Sequence, residues 1–110
     1  FYTALFGWKT KTGGEGVHAY TEFTPAGAAA PCAGMIDIAA FGPRGAHVPP
    51  NWMPYFQVAD VDADAAKAGT LGANVGVPPT DIQNVGRFSV IADPQGAVFA
   101  IFAPKAGARA

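Results

Sequence analysis

Clusters of glycine and proline limit the fold of this 110-residue sequence more than any other feature. The clusters lie at residues 13–16, 25–27, 42–50, 78–79 and 93–96, and short apolar or alternating runs separate them. Glycine and proline in this arrangement mark turns between strands, so the spacing predicts many short strands rather than a low-complexity chain. Half of the residues are apolar and only 14% are charged, which is unlike the composition of a disordered chain.

The second half of the sequence predicts the element order β-α-β-β-β. Residues 53–58 are rich in aromatic side chains and predict a strand, in which Pro54 marks an edge or the strand entry. A helix follows, which Asp60 or Asp62 can cap and which Gly72 ends in a left-handed conformation. Its apolar positions have helical spacing and are Val61, Ala65, Ala68 and Leu71. Further strands are predicted at residues 74–77, 87–92 and 97–103.

The first half repeats this order without its beginning. Phe1–Phe6 predicts the end of a helix, which Gly7 stops, and strands are predicted at 8–11, 17–23 and 33–38. By comparison with the second half, about 20 residues of strand and helix are missing upstream, so we expect that residue 1 is not the natural N-terminus. The predicted organisation is a single domain with three parts. They are a partial first module (1–40), a connection (41–51) and a second module (52–104).

Charge and cysteine content exclude several classes of protein. The net charge is −1 and no stripe of lysine and arginine is present, so we expect no nucleic-acid partner. No run approaches about 18 apolar residues, and the chain does not open like a signal peptide, so we expect no membrane association. The single cysteine, Cys32, cannot form an internal disulfide and favours a reducing, cytoplasmic setting.

Seven ordered segments together resemble one known family. They are FYTALFGW (1–8), PNWMPYF (50–56), VADVDA (58–63), LGA (71–73), PPTDI (78–82), VGRF (85–88) and DPQGA (93–97). This set resembles the vicinal oxygen chelate superfamily of lactoylglutathione lyase, bleomycin-resistance proteins and extradiol dioxygenases. It is most similar to the bacterial glyoxalase-like proteins that are related to lactoylglutathione lyase. The resemblance implies an α+β fold of two βαβββ modules, whose sheets form a half-open cup with the helices outside.

The resemblance also implies where a metal ion would bind in metal-dependent members, where it acts as a Lewis acid. The ligands of each module stand on its first and last strands, and in the second module these positions fall on Met53 and Ala100. A thioether and a methyl group are poor ligands for the ions that such enzymes use. In the first module the only candidate is Asp37, because its first strand would precede residue 1. We therefore expect no metal or other cofactor.

The two histidines leave an alternative open. His18 lies in a run that reads as a strand, and His47 lies in the connection between the modules. Either histidine is a candidate for a relocated metal ligand or a general base. The simpler interpretation is a surface histidine or one held by hydrogen bonds within the fold.

Strand alternation predicts which side chains line the cup. If the metal-ligand positions point inward, Tyr55 and Gln57 do so as well, together with Val98 and Phe102. Pro54, Phe56, Val58, Phe99 and Ile101 then face the helices. An apolar and aromatic wall with one phenol and one amide suits a small, partly apolar ligand. The alternative is that these side chains pack against the other module or a partner chain.

Three further residues complete the predicted ligand site. Trp8 and Trp52 occupy corresponding parts of the two modules and are candidates to stack on a flat ligand, although both also suit a core or an interface. Arg87 is the last residue of the polar segment 78–87, interpreted as a hairpin lid, and its planar guanidinium suits a carboxylate or phosphate. The alternative for Arg87 is an ion pair with a nearby acid such as Asp81.

The leading interpretation is a glyoxalase-like domain that binds a small organic ligand in a metal-free cup. It would act in sequestration or in an uncharacterised reaction, and no catalytic residue is assigned. One alternative is a metal-dependent lyase or dioxygenase completed by residues outside this sequence. Another is the non-catalytic half of a tandem-domain protein. We expect a homodimer or a tandem pseudo-dimer.

Overall fold

The computed structural model describes residues 1–82 and 85–105. Contacts within the chain divide it into two compact units. Unit 1 comprises residues 1–51, and unit 2 begins at Trp52. No helix among the described residues is long and apolar enough to cross a membrane.

Unit 1 is a short helix followed by a three-stranded antiparallel sheet. Its elements are α1 (Tyr2–Phe6), β1 (Lys9–Gly13), β2 (Tyr20–Thr24) and β3 (Ala33–Ile36), and the strand order is β1-β2-β3. The predicted helix end and three strands are therefore confirmed. Gly7 takes a left-handed conformation (φ 68°) and its N–H donates to the Thr3 carbonyl, which ends α1 as predicted.

Two predicted strand boundaries in unit 1 are wrong, and local hydrogen bonds explain both. Residues Gly16–His18 form a 3-10 turn, because Gly16 adopts a positive φ and the His18 N–H donates to the Glu15 carbonyl. His18 therefore lies in a turn and not in β2. Strand β3 ends at Ile36 because Asp37 accepts a bond from the Ala39 N–H (2.8 Å) and starts a second 3-10 segment, Ile38–His47.

A cluster of aromatic rings forms the interior of unit 1. Phe23 of β2 is only 4% exposed, and its ring centroid lies 5.4 Å from that of Trp8 and 6.1 Å from that of Tyr2. Phe6 lies 4.7 Å from Trp8 by the same measure, but it remains more than half exposed. One buried ring thus joins the sheet to the short helix.

Unit 2 has the predicted order β-α-β-β-β. Its elements are β4 (Tyr55–Gln57), α2 (Val61–Thr70), β5 (Asn74–Ile82), β6 (Gly86–Ala92) and β7 (Val98–Pro104). The strand order is β4-β7-β6-β5; β4 pairs with β7 in parallel, and the other pairs are antiparallel. A parallel pair requires a crossover connection, and α2 lies within that connection.

Helix α2 begins and ends as its sequence predicts. The Asp60 carboxylate accepts a hydrogen bond from the Ala63 N–H (3.0 Å), which satisfies one of the free donors of the first turn. Gly72 follows the helix with a φ of 94°. Of the two predicted capping residues, Asp60 is therefore the cap, and the Asp62 side chain is available for another contact.

Two strand boundaries in unit 2 also differ from the prediction. Strand β4 starts at Tyr55 and not at residue 53, with Pro54 just before it. Strand β5 continues to Ile82 through Pro78 and Pro79, so most of the predicted lid is paired sheet. The prolines fit because β5 is an edge strand and its pairing with β6 shifts register between Val75 and Thr80. Of the three remaining lid residues, Val85 donates its N–H to the Ile82 carbonyl (2.9 Å), and Gln83 and Asn84 lie outside the described part of the chain.

The core of unit 2 lies between α2 and the sheet. Its buried members are Val61, Ala65, Ile91 and Ile101, and their neighbours include Val58, Phe99 and Ala103. Val58, Phe99 and Ile101 were predicted to face a helix, and this is confirmed. The fully buried Ser89 hydroxyl donates to the Val77 carbonyl (2.7 Å), so it ties β6 to the irregular part of β5.

Candidate ligand-binding face of unit 2

The sheet of unit 2 has a second face, opposite α2, which we call the open face. Cross-strand pairing arranges its side chains in rows that run across the sheet, since directly paired residues share a face. One row is Gln57, Phe102, Phe88 and Thr80. The next row is Tyr55, Ala100, Val90 and Val77. The predicted ligand residues Tyr55, Gln57 and Phe102 therefore lie together on one face.

Phe102 lies close against the sheet because of a glycine beside it. A Cβ atom added to Gly86 would lie 2.9 and 3.0 Å from two ring carbons of Phe102. The ring thus covers Gly86 on the neighbouring strand instead of projecting away from the sheet. Both Phe102 and its cross-strand partner Phe88 are half-buried.

The open face continues into a shallow cavity at one end of the sheet. This cavity has a volume of about 560 Å³. It lies at the end of the sheet and joins the row beyond Phe102 to residues of the helix-facing side; its lining is Asp81, Ile82, Gly86, Arg87, Ala103, Pro104 and Lys105. Clefts that hold small ligands have volumes of roughly 300–1,000 Å³, so this cavity has a suitable size.

The residues at the expected metal-ligand positions of unit 2 do not fit a metal ion. Ala100 lies in the middle of the open face with no exposed surface, and it offers only a methyl group. Met53 precedes β4 and offers a thioether, which hard divalent ions bind poorly. Within residues 1–82 and 85–105, no three histidine, cysteine or acidic side chains are grouped closely enough to hold a metal ion.

Arg87 lies on the opposite face of the sheet, next to α2. Its Nε and Nη2 donate to Asp62 Oδ2 (2.7 Å) and Oδ1 (2.9 Å), and its Nη1 donates to Asp81 Oδ1 (3.0 Å). The predicted alternative, an ion pair with Asp81, is therefore present, and Asp62 adds a two-point contact. As an anion-binding residue Arg87 stays a prediction, and its side chain is directed away from Tyr55, Gln57 and Phe102.

The ion pairs change the titration of their members. The hydrogen bond from Arg87, with its positive charge, lowers the pKa of Asp62 below the ordinary value of 3.8. The two carboxylates raise the pKa of Arg87 further, so its guanidinium stays charged. These groups are partly exposed, so water screens the attraction and its contribution to stability is modest.

The two tryptophans lie in different units and have different surroundings. Trp8 packs on Phe23 and Phe6 within the aromatic cluster of unit 1, which matches its alternative role in a core. Trp52 is 61% exposed, just before β4 in unit 2. A role for either tryptophan in ligand binding stays a prediction.

Sequence reasoning missed two side chains of the open face, Phe88 and Thr80. Both lie in the segments quoted for the family resemblance, but β5 was expected to end at Val77. The alternation from Phe102 to its partner strand would have identified Phe88. No sequence signal would have identified Thr80, since its placement depends on the register shifts in β5.

Comparison with known proteins identifies relatives in bacteria. A protein of Mycobacterium tuberculosis (strain CDC 1551 / Oshkosh) named "Putative glyoxylase CFP32" is 53% identical over 57 residues, which are 52% of this chain and 22% of that protein. The anthracycline biosynthesis protein DauV of Streptomyces sp. (strain C5) is 37% identical across 93% of this chain and 40% of its own length. This chain therefore spans well under half the length of both curated relatives.

The chain is also similar to a solved structure, and its sequence matches that of a known family. The crystal structure of TnmS3, an antibiotic binding protein from Streptomyces sp. CB03234, is 26% identical with a TM-score of 0.43, and the match covers 96% of this chain and 82% of that one. Residues 1–101 match the sequence model of the Glyoxalase/Bleomycin resistance protein/Dioxygenase superfamily. This match extends over most of both units, and the chain belongs to that superfamily.

Proposed function

We propose that this chain binds a small, partly apolar organic molecule on the open face of unit 2. The observation that carries the proposal is the composition of that face. Phe102 and Phe88 form an aromatic floor, and Tyr55 and Gln57 place a phenol and an amide at its edge. Apolar surface with a few polar groups is typical of sites for small ligands, because the polar groups fix orientation.

The same face supports binding without a catalytic metal held by unit 2. A metal-dependent member would need an anionic or imidazole ligand where this chain has Ala100 and Met53. We therefore propose a role in sequestration or carrying of the ligand. The alternatives of a metal-dependent lyase or dioxygenase and of a non-catalytic tandem half both require residues outside this sequence.

One relative indicates the chemical character of the ligand. DauV is named as an anthracycline biosynthesis protein, and its likeness extends over 93% of this chain. A ligand from aromatic secondary metabolism agrees with the two phenylalanines of the open face. Because the chain covers 40% of DauV, a second family domain or a second copy of this chain is a further proposed partner, and a cytoplasmic location stays a prediction.

Ligand binding is tested by a thermal-shift screen of aromatic and non-aromatic small molecules, followed by calorimetry. A ligand that binds only the folded state raises the unfolding temperature in a concentration-dependent way. Tyr55→Phe and Gln57→Ala are expected to weaken binding by several-fold, since each removes a hydrogen-bonding group. Lys67→Ala, on α2 and away from the open face, is the matched control. Equal affinity in all three variants would contradict the proposed site.

The metal proposal is tested separately by elemental analysis of the purified protein. We expect no stoichiometric divalent ion. One tightly bound ion per chain, lost together with ligand binding on chelation, would overturn the metal-free interpretation.

A further inference from the structure

We infer that the row Gln57–Phe102–Phe88–Thr80, which we call the aromatic row, selects a flat, multi-ring aromatic molecule that lies across the strands. This inference rests on the proposed function and adds to it the shape of the ligand and two residues, Phe88 and Thr80. It also predicts which end of the ligand must carry a hydrogen-bond donor.

The length of the aromatic row sets the length of the ligand. Its four residues stand on four adjacent strands, β4, β7, β6 and β5. Neighbouring strands are about 4.8 Å apart, so the row extends over about 14 Å. With about 3 Å for a hydrogen bond at each end, about 8 Å remains between the polar groups. A skeleton of two fused rings with an oxygen at each end, as in 2,6-dihydroxynaphthalene, has a matching length, whereas a third linearly fused ring moves the oxygens one ring width farther apart.

The floor of the aromatic row is suited to a flat molecule. The Phe102 ring lies against Gly86 on the neighbouring strand. Phe88 is its direct cross-strand neighbour, and among the described aromatic contacts neither ring is paired with another ring. Ala100, in the adjacent row, adds only a methyl group at the centre of the face. Aromatic side chains in such an arrangement favour offset stacking with a planar ligand.

The two ends of the aromatic row differ in chemistry. The Thr80 hydroxyl donates its hydrogen to the Pro78 carbonyl (2.7 Å), so towards a ligand it is an acceptor. Gln57 carries both an amide donor and a carbonyl acceptor and is exposed at the opposite edge. The ligand must therefore present a hydrogen-bond donor, such as a hydroxyl group, at the Thr80 end, whereas the Gln57 end can bind a donor or an acceptor.

The test uses three probes with the full chain in isothermal titration calorimetry. They are 2,6-dihydroxyanthraquinone, the two-ring 2,6-dihydroxynaphthalene and the non-planar 1-adamantanol. We expect the two-ring probe, whose oxygen separation matches the aromatic row, to bind most tightly and adamantanol most weakly. Phe88→Leu, which keeps most of the apolar volume, is expected to weaken binding of the two-ring probe about 5- to 100-fold, the range for loss of one stacking contact. Thr80→Val is expected to weaken it several-fold.

Controls separate failure of this inference from failure of the proposed function. Phe56→Leu makes the same substitution on the helix-facing side of the sheet, where Phe56 pairs with Ile101, and is expected to leave the affinity for the two-ring probe nearly unchanged. Circular dichroism confirms that each variant is folded. If adamantanol binds as tightly as the two-ring probe, or if Phe88→Leu has no effect, the aromatic row does not select the ligand but the open face still binds it. If no probe binds, both the inference and the proposed function are overturned.

Discussion

Both units contain a helix followed by three consecutive antiparallel strands, but different side chains stabilise the two sheets. In unit 2 a ten-residue helix covers one face, and a cluster of aliphatic side chains is buried beneath it. In unit 1 the helix has five residues and none of them is buried, and Phe23 is the buried side chain of the aromatic cluster. A longer amphipathic helix covers more apolar surface, so we expect unit 2 to be the more stable of the two.

The last strands of the two units also differ in their pairing. Strand β7 pairs with β6 on one side and with β4 on the other, whereas within the described residues β3 pairs only with β2. Within the described residues, β3 is therefore an edge strand of its sheet, whereas β7 is an interior strand.

Both units contain an aromatic ring that lies over a glycine on the adjacent strand. In unit 1 the Tyr20 ring covers Gly34, and in unit 2 the Phe102 ring covers Gly86. Partial burial, with the nearby charge of Glu22, raises the pKa of Tyr20. The environments differ, because backbone also lies close to Gly86 but only the end of a side chain lies close to Gly34.

The largest effect is expected from Phe23→Ala in unit 1. This change removes the buried ring that joins β2 to α1, so we expect the free energy of unfolding to fall by about 3–5 kcal/mol. Urea unfolding measures the loss, and hydrogen exchange is expected to increase first in β1–β3. Phe1→Ala, at a residue 86% exposed, is the control and should change stability by about 0.5 kcal/mol or less. Equal losses in the two variants would show that Phe23 does not hold unit 1 together.

Ile91→Ala makes the corresponding change in unit 2. Ile91 is 1% exposed and contacts the helix–sheet cluster, so its truncation is expected to cost about 2–5 kcal/mol. The remaining aliphatic neighbours should keep the sheet of unit 2 intact, as measured by hydrogen exchange in β5–β7. Val98→Ala, on the exposed open face, is expected to have little effect. A loss of less than about 1 kcal/mol in Ile91→Ala would contradict a core centred on this residue.

Substitution of alanine for each of the two covered glycines should destabilise unit 2 more than unit 1. In Gly86→Ala the new Cβ meets the Ala103 carbonyl oxygen as well as the Phe102 ring, so strain of about 1–3 kcal/mol is expected. In Gly34→Ala the Tyr20 side chain can move aside, and the cost should be below about 1 kcal/mol. Thermal unfolding of the two variants checks the order. The reverse order would show that Tyr20 is held more rigidly than Phe102.

A smaller loss of stability is expected when the hydroxyl group of Ser89 is removed. Ser89→Ala leaves the Val77 carbonyl without its buried donor, which is expected to cost about 1–2 kcal/mol. The comparable bond in unit 1 joins the exposed hydroxyls of Thr12 and Thr21 (2.8 Å), and Thr12→Ala should change stability by about 0.5 kcal/mol or less. Chemical denaturation compares the two variants, and a larger loss in Thr12→Ala would reverse their assigned importance.

The smallest effect is expected from the pH dependence of the ion pair between Asp62 and Arg87. The folded-state pKa of Asp62 lies below 3.8, so its pair with Arg87 stabilises the fold above that pH and loses this contribution as the pH falls through the lower value. The stability difference between wild type and Asp62→Asn should therefore be constant near neutral pH and shrink in acid. Urea midpoints between about pH 2 and pH 6 measure it. Asp64→Asn, in the same helical turn, is the control, and an identical acid response in both variants would contradict the prediction.

Local rules explain most of what the sequence predicted correctly. Asp60 and Gly72 define α2 through capping and positive φ, and the Asp93–Gly96 turn forms because the Asp93 carboxylate accepts bonds from the Gln95 and Ala97 N–H groups. Each of these signals lies within a few residues of its effect. The strand ends were less predictable, because β5 continues through two prolines only where its neighbour β6 allows a shift in register.

In the candidate site, too, some side-chain placements followed from the sequence and others required the tertiary structure. Alternation along the strands grouped Tyr55, Gln57 and Phe102 on one face once the family resemblance supplied the inward position on each strand, because successive side chains of a strand point to opposite sides. The direction of Arg87 was not predictable, since it depends on Asp62, which lies 25 positions earlier in the sequence and on another element. The placement of Thr80 and Phe88 beside Phe102 likewise required the strand register.

The sequence by itself determined the order of elements, the turns, the cap of α2 and the alternation that makes one face of unit 2 apolar. These properties depend on neighbouring residues and on the two periodicities of helix and strand. Only the tertiary structure decided that Arg87 turns towards Asp62, that Phe102 covers Gly86, and that four strands align Gln57, Phe102, Phe88 and Thr80 in one row. Those contacts join residues far apart in the chain, and their geometry depends on how the strands pair.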